Sequence, residues 1–190
     1  MRYLIPIVLA AVVGCGSGSS QKYTMYTKTV VFLGDSLAGG SSHAPNVTTY
    51  PNLIPGIVSI NRGIGGDTSA QMLARIQECF VPHPETLVLE CGLNDIQNGV
   101  SAASYRENVE AIIQQCHVHN IKVILCTVPN TSVGDPAPLN ASVRSLATEY
   151  GCKVADIELA LQKPGLLEAD GEHPNQQGQN LIAAVIGQAL

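Results

Sequence analysis

Short apolar runs recur along this chain and are separated by longer polar or amphipathic stretches. The runs are nearly continuous and rich in Val and Ile, and they occupy residues 29–33, 57–60, 87–91, 123–128 and 153–157. Runs of this length and composition are typical of parallel strands that are buried on both faces of a sheet. The pattern therefore predicts a five-stranded parallel sheet.

Between these runs, apolar residues recur at helical spacing. The spacing predicts helices over residues 68–79, 102–119, 139–150 and 176–190. In the second of these, Tyr105, Val109 and Cys116 fall on one face, as expected for a helix that packs against a sheet. Strands that alternate with helices indicate one α/β domain, and its crossover connections should be right-handed.

Composition and charge exclude some classes of function. The chain has 190 residues, 45% of them apolar, which is enough for one domain with a sizeable core. The chain has ten Lys and Arg residues and fifteen Asp and Glu residues, which gives a formal charge of -5, and it contains no basic run. A nucleic-acid partner is therefore not expected, because few side chains could neutralise phosphates.

The amino-terminal residues have the pattern of a signal peptide. Arg2 precedes an apolar run at residues 3–13 that is too short to span a bilayer. The sequence VVGC at 12–15 resembles the bacterial lipobox, which predicts a signal peptide over 1–14 and lipidation of Cys15. A Gly- and Ser-rich tether over 15–27 and the α/β domain over 28–190 would follow. We expect a lipid-anchored protein of the bacterial cell envelope, or a secreted one if Cys15 is not lipidated.

The remaining cysteines have no zinc-like spacing. They are five in number, so at least one should be a free thiol: Cys79, Cys91, Cys116, Cys126 and Cys152. Cys91 and Cys126 lie in apolar runs and should be buried as small hydrophobic residues. Right-handed crossovers place the other three near the same end of the sheet, so Cys116 could pair with Cys79, which is slightly favoured, or with Cys152.

Polar and glycine-rich segments follow several of the predicted strands. Ligands of parallel α/β sheets bind outside the carboxyl ends of the strands, so the segments 34–36, 61–67, 92–95 and 170–174 should converge there.

The side chains in these segments suggest acyl transfer. Ser36 is a candidate nucleophile, His173 its base, and Asp170 the carboxylate that orients the imidazole. Negative charge that develops on a substrate oxygen needs preorganised donors. The backbone N–H groups of Ser36 and Gly66 and the side-chain amide of Asn94 are the candidates.

The same segments carry a family resemblance. GDSL at 34–37, NRGIGGD at 61–67, GLND at 92–95 and DGEHP at 170–174 resemble, in order, the four blocks of the GDSL or SGNH hydrolases. The resemblance extends over about residues 30–190 and implies a flavodoxin-like three-layer α/β/α sandwich. It implies Ser36 as nucleophile, Gly66 and Asn94 as oxyanion donors, and Asp170 and His173 as the rest of the triad.

The length and block spacing are similar to those of the small arylesterase, lysophospholipase and thioesterase members. Short loops at 96–100 and 129–138, with no insertion long enough for a lid, predict an open site for short- to medium-chain esters or thioesters. The chemistry of this triad needs no metal and no organic cofactor. The expected partner is a small ester, which would be the substrate. Asp35 and Asp95 are expected to be structural and to hold the loops of Ser36 and Asn94.

Three alternatives stay open. The same triad would serve a carbohydrate O-acetyl esterase. A non-catalytic flavodoxin-like module that binds a nucleotide or another ligand is the alternative of another class, although GIGGDT at 63–68 lacks the last glycine of a dinucleotide fingerprint. His117 and His119 could bind a metal, but no third ligand lies near them in sequence.

Overall fold

A single parallel sheet forms the middle layer of the molecule. The computed structural model describes residues 28–81 and 83–190, so the predicted signal peptide, Cys15 and the tether lie outside the described residues. The strands are β1 (Thr29–Gly34), β2 (Val58–Gly63), β3 (Thr86–Leu89), β4 (Lys122–Cys126) and β5 (Lys153–Ala155). All pair in parallel, in the order β2-β1-β3-β4-β5, which confirms the predicted sheet.

Helices cover the sheet. They are α1 (Ser36–Gly39), α2 (Ser69–Ala74), α3 (Leu93–Gln97), α4 (Ala102–Val118), α5 (Ala137–Tyr150), α6 (Ile157–Ala160) and α7 (Gln176–Ala189). α4 packs between α2 and α5, whereas α7 contacts α6, β5 and a 3-10 turn at Tyr50–Asn52. The expected three-layer α/β/α architecture is confirmed. Within the described ranges, no helix is both long and apolar enough to cross a membrane.

The strand at the centre of the core is β1. Val30, Val31, Phe32 and Leu33 are completely buried between β2 and β3. The Phe32 ring meets the buried ring of Tyr50 edge-on, with centroids 5.8 Å apart. β1 therefore leads directly from a fully buried part of the core to the residues at its carboxyl end.

The helix predicted over 68–79 is in fact two shorter elements. α2 ends at Ala74, and a 3-10 turn occupies Ile76–Cys79. Between them, the Arg75 side chain turns back and donates to the Asp67 carboxylate at 2.7 Å. The apolar periodicity of this segment correctly predicts helical structure, but it does not reveal that the helix type changes at Arg75.

The predicted disulfide of Cys116 is wrong, because all five cysteines of the described part are free thiols. Cys79 and Cys116 are fully buried in the hydrophobic core. Burial raises the pKa of Cys79 to about 11 and that of Cys116 to about 12, so both stay protonated. They therefore act as small apolar side chains and not as reactive thiols.

A close approach of two backbones brings α1 against the end of β2. A Cβ added to Gly63 would lie 2.3 Å from the Gly39 nitrogen, and backbone cannot yield as a flexible side chain can. We expect Gly63→Ala to lower the free energy of unfolding by about 1–3 kcal/mol, measured by urea denaturation. Gly187→Ala is the control: its Cβ would meet only Ile54, at 4.0 Å, and alanine favours the helix, so stability should hold or rise slightly.

Candidate active site

The segment that follows β1 begins with an acid and a serine. Asp35 is the N-cap of α1, and its Oδ1 accepts the Leu37 N–H at 2.9 Å. This bond holds the first turn and leaves Ser36 half-buried at the carboxyl edge of the sheet. Because β2 and β3 flank β1, the segments that follow all three strands end at this same edge.

Three side chains from distant parts of the sequence meet at this edge. The Ser36 Oγ lies 3.0 Å from the His173 Nε2. The His173 Nδ1 lies 2.7 Å from the Asp170 Oδ2. These distances are those of direct hydrogen bonds, and the arrangement is the one in which an imidazole can accept a hydroxyl proton while a carboxylate fixes its tautomer.

The turn that carries Asp170 and His173 is held by its own hydrogen bonds. The Asp170 Oδ1 accepts the backbone N–H of Glu172 at 2.9 Å and that of His173 at 3.0 Å. Burial acts to raise the pKa of Asp170, but these N–H bonds and the contact with His173 outweigh it and lower the pKa to about 2. Asp170 is therefore a carboxylate at neutral pH.

The 129–138 loop, which was expected to border the site, also supports this turn from outside. The Ser132 N–H donates to the Gly171 carbonyl at 2.9 Å, and the Ser132 Oγ donates to the Asp170 carbonyl at 3.2 Å. Ser132 lies in the 129–138 segment, whose sequence shows only an irregular connection, so no pattern could have identified this contact.

Two of the three predicted oxyanion donors are available backbone groups. Within the described residues, the N–H groups of Ser36 and Gly66 make no hydrogen bond. Gly66 has a φ of +87°, a conformation that favours glycine. The neighbouring Gly65 lies over the serine, since a Cβ added there would be 3.6 Å from the Ser36 Cβ.

The third predicted donor, Asn94, already has partners. Its Nδ2 donates to the Asp35 Oδ2 and to the Asp67 carbonyl, both at 3.1 Å. These bonds fix the amide in one orientation beside the end of β1. An oxygen of a substrate would have to share the hydrogen that now points to the Asp67 carbonyl.

The two acids expected to be structural hold these loops. The Asp95 carboxylate accepts the Ser69 N–H at 2.9 Å and the Ser69 hydroxyl at 2.5 Å, which ties α3 to the start of α2. Asp35 joins Asn94 to α1 through its two oxygens. Both carboxylates are completely buried.

Two further residues near the site escaped the sequence analysis. The exposed His43 ring stacks on the His173 ring, with centroids 5.5 Å apart and planes 12° from parallel. Glu90 is buried directly after β3. The signal for Glu90 was visible, because a lone carboxyl interrupts an otherwise apolar run. Nothing in the sequence around His43 points to the catalytic edge.

Metal-ligating side chains of the described part gather at one place, and it is this site. One ligand atom from each of His43, Asp170 and His173 lies within 4.8 Å of the others. The 2.7 Å hydrogen bond between Asp170 and His173 uses the atoms that an ion would need. His117 and His119 are exposed at the end of α4 and are not part of this group.

The surface around Ser36 is shallow. A crevice of about 10 Å³ adjoins Ser36 and His173 and is lined by residues of the 40–49 loop. Much larger cavities, of about 680 and 540 Å³, lie near Lys28 and contain none of the site residues. The described part of the chain therefore does not enclose a substrate at Ser36.

The chain is similar to known hydrolases over most of its length. An arylesterase of Vibrio mimicus is 26% identical over 204 residues, which cover 100% of this chain and 98% of that protein. The thioesterase 1/protease 1/lysophospholipase L1 of Escherichia coli (strain K12) is 28% identical over 166 residues, and this alignment covers 82% of this chain and 79% of that protein.

Solved structures show the same fold. The crystal structure of the lipase/acylhydrolase from Enterococcus faecalis superimposes with a TM-score of 0.75 at 25% identity and covers 85% of this chain and 94% of its own. The model of the GDSL-like Lipase/Acylhydrolase family matches residues 32–181. Since this match runs from the second half of β1 through the segments after β2 and β3 to the turn of His173 and into α7, the chain belongs to the GDSL-like lipase/acylhydrolase family of hydrolases.

Proposed function

We propose that this hydrolase is a serine esterase that cleaves short- to medium-chain carboxylic esters or thioesters through an acyl-enzyme on Ser36. The observation that carries the proposal is the hydrogen-bonded chain from the Ser36 Oγ to the His173 Nε2 at 3.0 Å and from the Nδ1 to Asp170 at 2.7 Å. Serine, imidazole and carboxylate in this order form the arrangement that activates a hydroxyl for attack on a carbonyl.

The first step forms the acyl-enzyme. The Ser36 Oγ attacks the carbonyl carbon while the His173 Nε2 accepts the hydroxyl proton, and the carbonyl electron pair moves onto its oxygen. When this tetrahedral intermediate collapses, the bond to the leaving oxygen or sulfur breaks, and His173 returns the proton to the leaving group. Asp170 stays ionised and stabilises the imidazolium that exists between these transfers.

The second step hydrolyses the acyl-enzyme. His173 takes a proton from water, the hydroxide adds to the ester carbon, and the acid departs as the proton returns to Ser36. In both steps the oxyanion would accept hydrogen bonds from the N–H groups of Ser36 and Gly66, which have no partner within the described chain. The Asn94 side-chain amide would be a third donor. It now donates to the Asp67 carbonyl, but a charged substrate oxygen would compete well for the same hydrogen.

The shallow surface supports a preference for small acyl groups. A crevice of about 10 Å³ beside Ser36 cannot enclose a long chain, and Ala44 and Val47 are apolar side chains in its lining that could contact a short one. We expect the purified protein to have the highest kcat/KM for p-nitrophenyl acetate, butyrate or octanoate and a much lower value for the palmitate. A matched thioester series would measure the preference for oxygen or sulfur leaving groups.

Two outcomes would contradict this substrate class. Preference for acetylated xylan over aryl butyrate would favour a carbohydrate O-acetyl esterase, which uses the same triad. Absence of turnover with every ester, in a protein whose circular dichroism and unfolding are those of a folded domain, would favour a binding module.

A further inference from the structure

A pair of buried acids lies directly behind the candidate nucleophile. Asp35 is completely buried, Glu90 is only 2% exposed, and they belong to the neighbouring ends of β1 and β3. The Asp35 N–H points at the Glu90 Oε2 across 3.4 Å. The approach is close, since a Cβ on the intervening Gly34 would lie 2.8 Å from that oxygen. The triad mechanism does not use Glu90.

Within the described residues, neither acid of this pair forms an ion pair. The Arg75 guanidinium donates to the adjacent Gly34 carbonyl at 3.4 Å, but its charge is paired with the Asp67 carboxylate at 2.7 Å. Burial and the negative charge of Asp35 raise the pKa of Glu90 well above its usual value. The other titratable groups that sense Glu90 are Tyr50, Cys91, Tyr105 and Cys126, and burial raises the pKa of each, so all four are neutral. Two carboxylates in such surroundings cannot both be ionised, and one proton must be held between them.

Hydrogen bonding decides which acid carries the proton. Asp35 already accepts two bonds, from the Leu37 N–H at 2.9 Å and from the Asn94 amide at 3.1 Å. These bonds favour an ionised Asp35. Burial nevertheless raises the pKa of Asp35 to about 6, and a side-chain hydrogen bond with Glu90 acts to lower it. Glu172 acts to raise this pKa and His173 to lower it.

We propose that Glu90 is a positioning residue: it is a neutral acid whose O–H donates to the Asp35 carboxylate while its other oxygen faces the Asp35 N–H. Asp35 then holds the Asn94 amide and the first turn of α1 in place beside Ser36. The catalytic consequence rests on the proposed esterase function, whereas the location of the proton does not.

Two substitutions of Glu90 show whether its role is to donate a hydrogen bond or to carry a negative charge. Glutamine can replace both parts of a neutral glutamic acid, because its N–H₂ can donate to the carboxylate and its oxygen can accept from the backbone. Methionine has a similar length and can do neither. We therefore expect Glu90→Gln to keep kcat for p-nitrophenyl butyrate within about threefold, and Glu90→Met to lower it roughly tenfold or more at a similar KM.

The pH profile adds a readout that a purely structural role would not move. In Glu90→Met, Asp35 loses the donor that lowers its pKa, so it should protonate at higher pH and release Asn94 sooner. The acid limb of kcat should then move upward in Glu90→Met and stay in place in Glu90→Gln. Equal damage by both substitutions in folded protein, or no effect of Glu90→Met on either readout, would overturn the proposal.

Infrared difference spectroscopy of the full chain tests the proton without any substrate. At mildly alkaline pH the wild type should show the C=O band of a protonated carboxylic acid, and Glu90→Gln should lack it. Glu107→Gln, which changes an exposed acid, should retain it. A wild type without this band would refute the neutral Glu90 even if Glu90→Met fails to fold. A wild type that has the band but hydrolyses no ester would refute only the esterase function.

Discussion

Ser36→Ala is expected to lower kcat for p-nitrophenyl butyrate by on the order of 10⁴-fold or more, with the fold intact. The hydroxyl oxygen is the atom that we propose to bond to the substrate, and its proton is the one that the His173 Nε2 accepts across 3.0 Å. Its removal leaves a cavity smaller than a water at a half-buried position, so the free energy of unfolding should change little. Steady-state kinetics and urea denaturation of the same preparation would measure both effects.

The control for this variant is another serine from the same edge. Ser42→Ala changes an exposed side chain in the 40–49 loop that makes no hydrogen bond within the described residues, so its kcat should equal that of the wild type. Turnover by Ser36→Ala at a tenth of the wild-type rate or more would show that a different group attacks the ester.

Asp170→Asn should be the second most damaging change, with a loss in kcat on the order of 10³–10⁴-fold. The Asp170 Oδ2 accepts the proton of the His173 Nδ1 at 2.7 Å and so leaves the Nε2 lone pair for Ser36. An asparagine that presents its N–H₂ group would favour the opposite tautomer, and it could no longer stabilise an imidazolium with a charge. Kinetics over a range of pH would measure the loss.

Asp135→Asn is a matched control for the charge change. Asp135 lies in an exposed loop, and its carboxylate accepts the N–H of Ala137 at the start of α5. The side-chain oxygen of asparagine can accept the same N–H, so activity and stability should be nearly unchanged. If Asp170→Asn retained more than a tenth of the wild-type kcat, the carboxylate would not have the orienting role that its contacts suggest.

Local sequence was enough to predict the fold, because each strand can be recognised from its own apolar run, independently of the rest of the chain. The run around Val31 is apolar on both faces, and so are the runs of β3 and β4, which only a doubly covered parallel sheet explains. The edge at which ligands bind follows from the direction of the strands. Since Ser36 and His173 lie directly beyond predicted elements at this edge, their approach could be anticipated across 137 positions of sequence.

Features that depend on contacts between loops could not be anticipated. Ser132 supports the turn of Asp170, and His43 stacks on His173, but neither residue belongs to a periodic pattern. The partners of the Asn94 amide depend on the exact positions of Asp35 and Asp67, which sequence spacing does not give. The same limit explains the mistaken disulfide, because crossover geometry brings Cys116 near two other cysteines without deciding whether a bond forms.

Trapping the acyl group on the protein would test directly whether Ser36 is the nucleophile. Wild type mixed with p-nitrophenyl butyrate and quenched in acid before the steady state should gain the mass of one butyryl group, and peptide mapping should place it on Ser36. Ser36→Ala should gain nothing. A butyryl group found on another residue, or rapid hydrolysis with no acylated protein and undiminished activity in Ser36→Ala, would show that Ser36 is not the nucleophile.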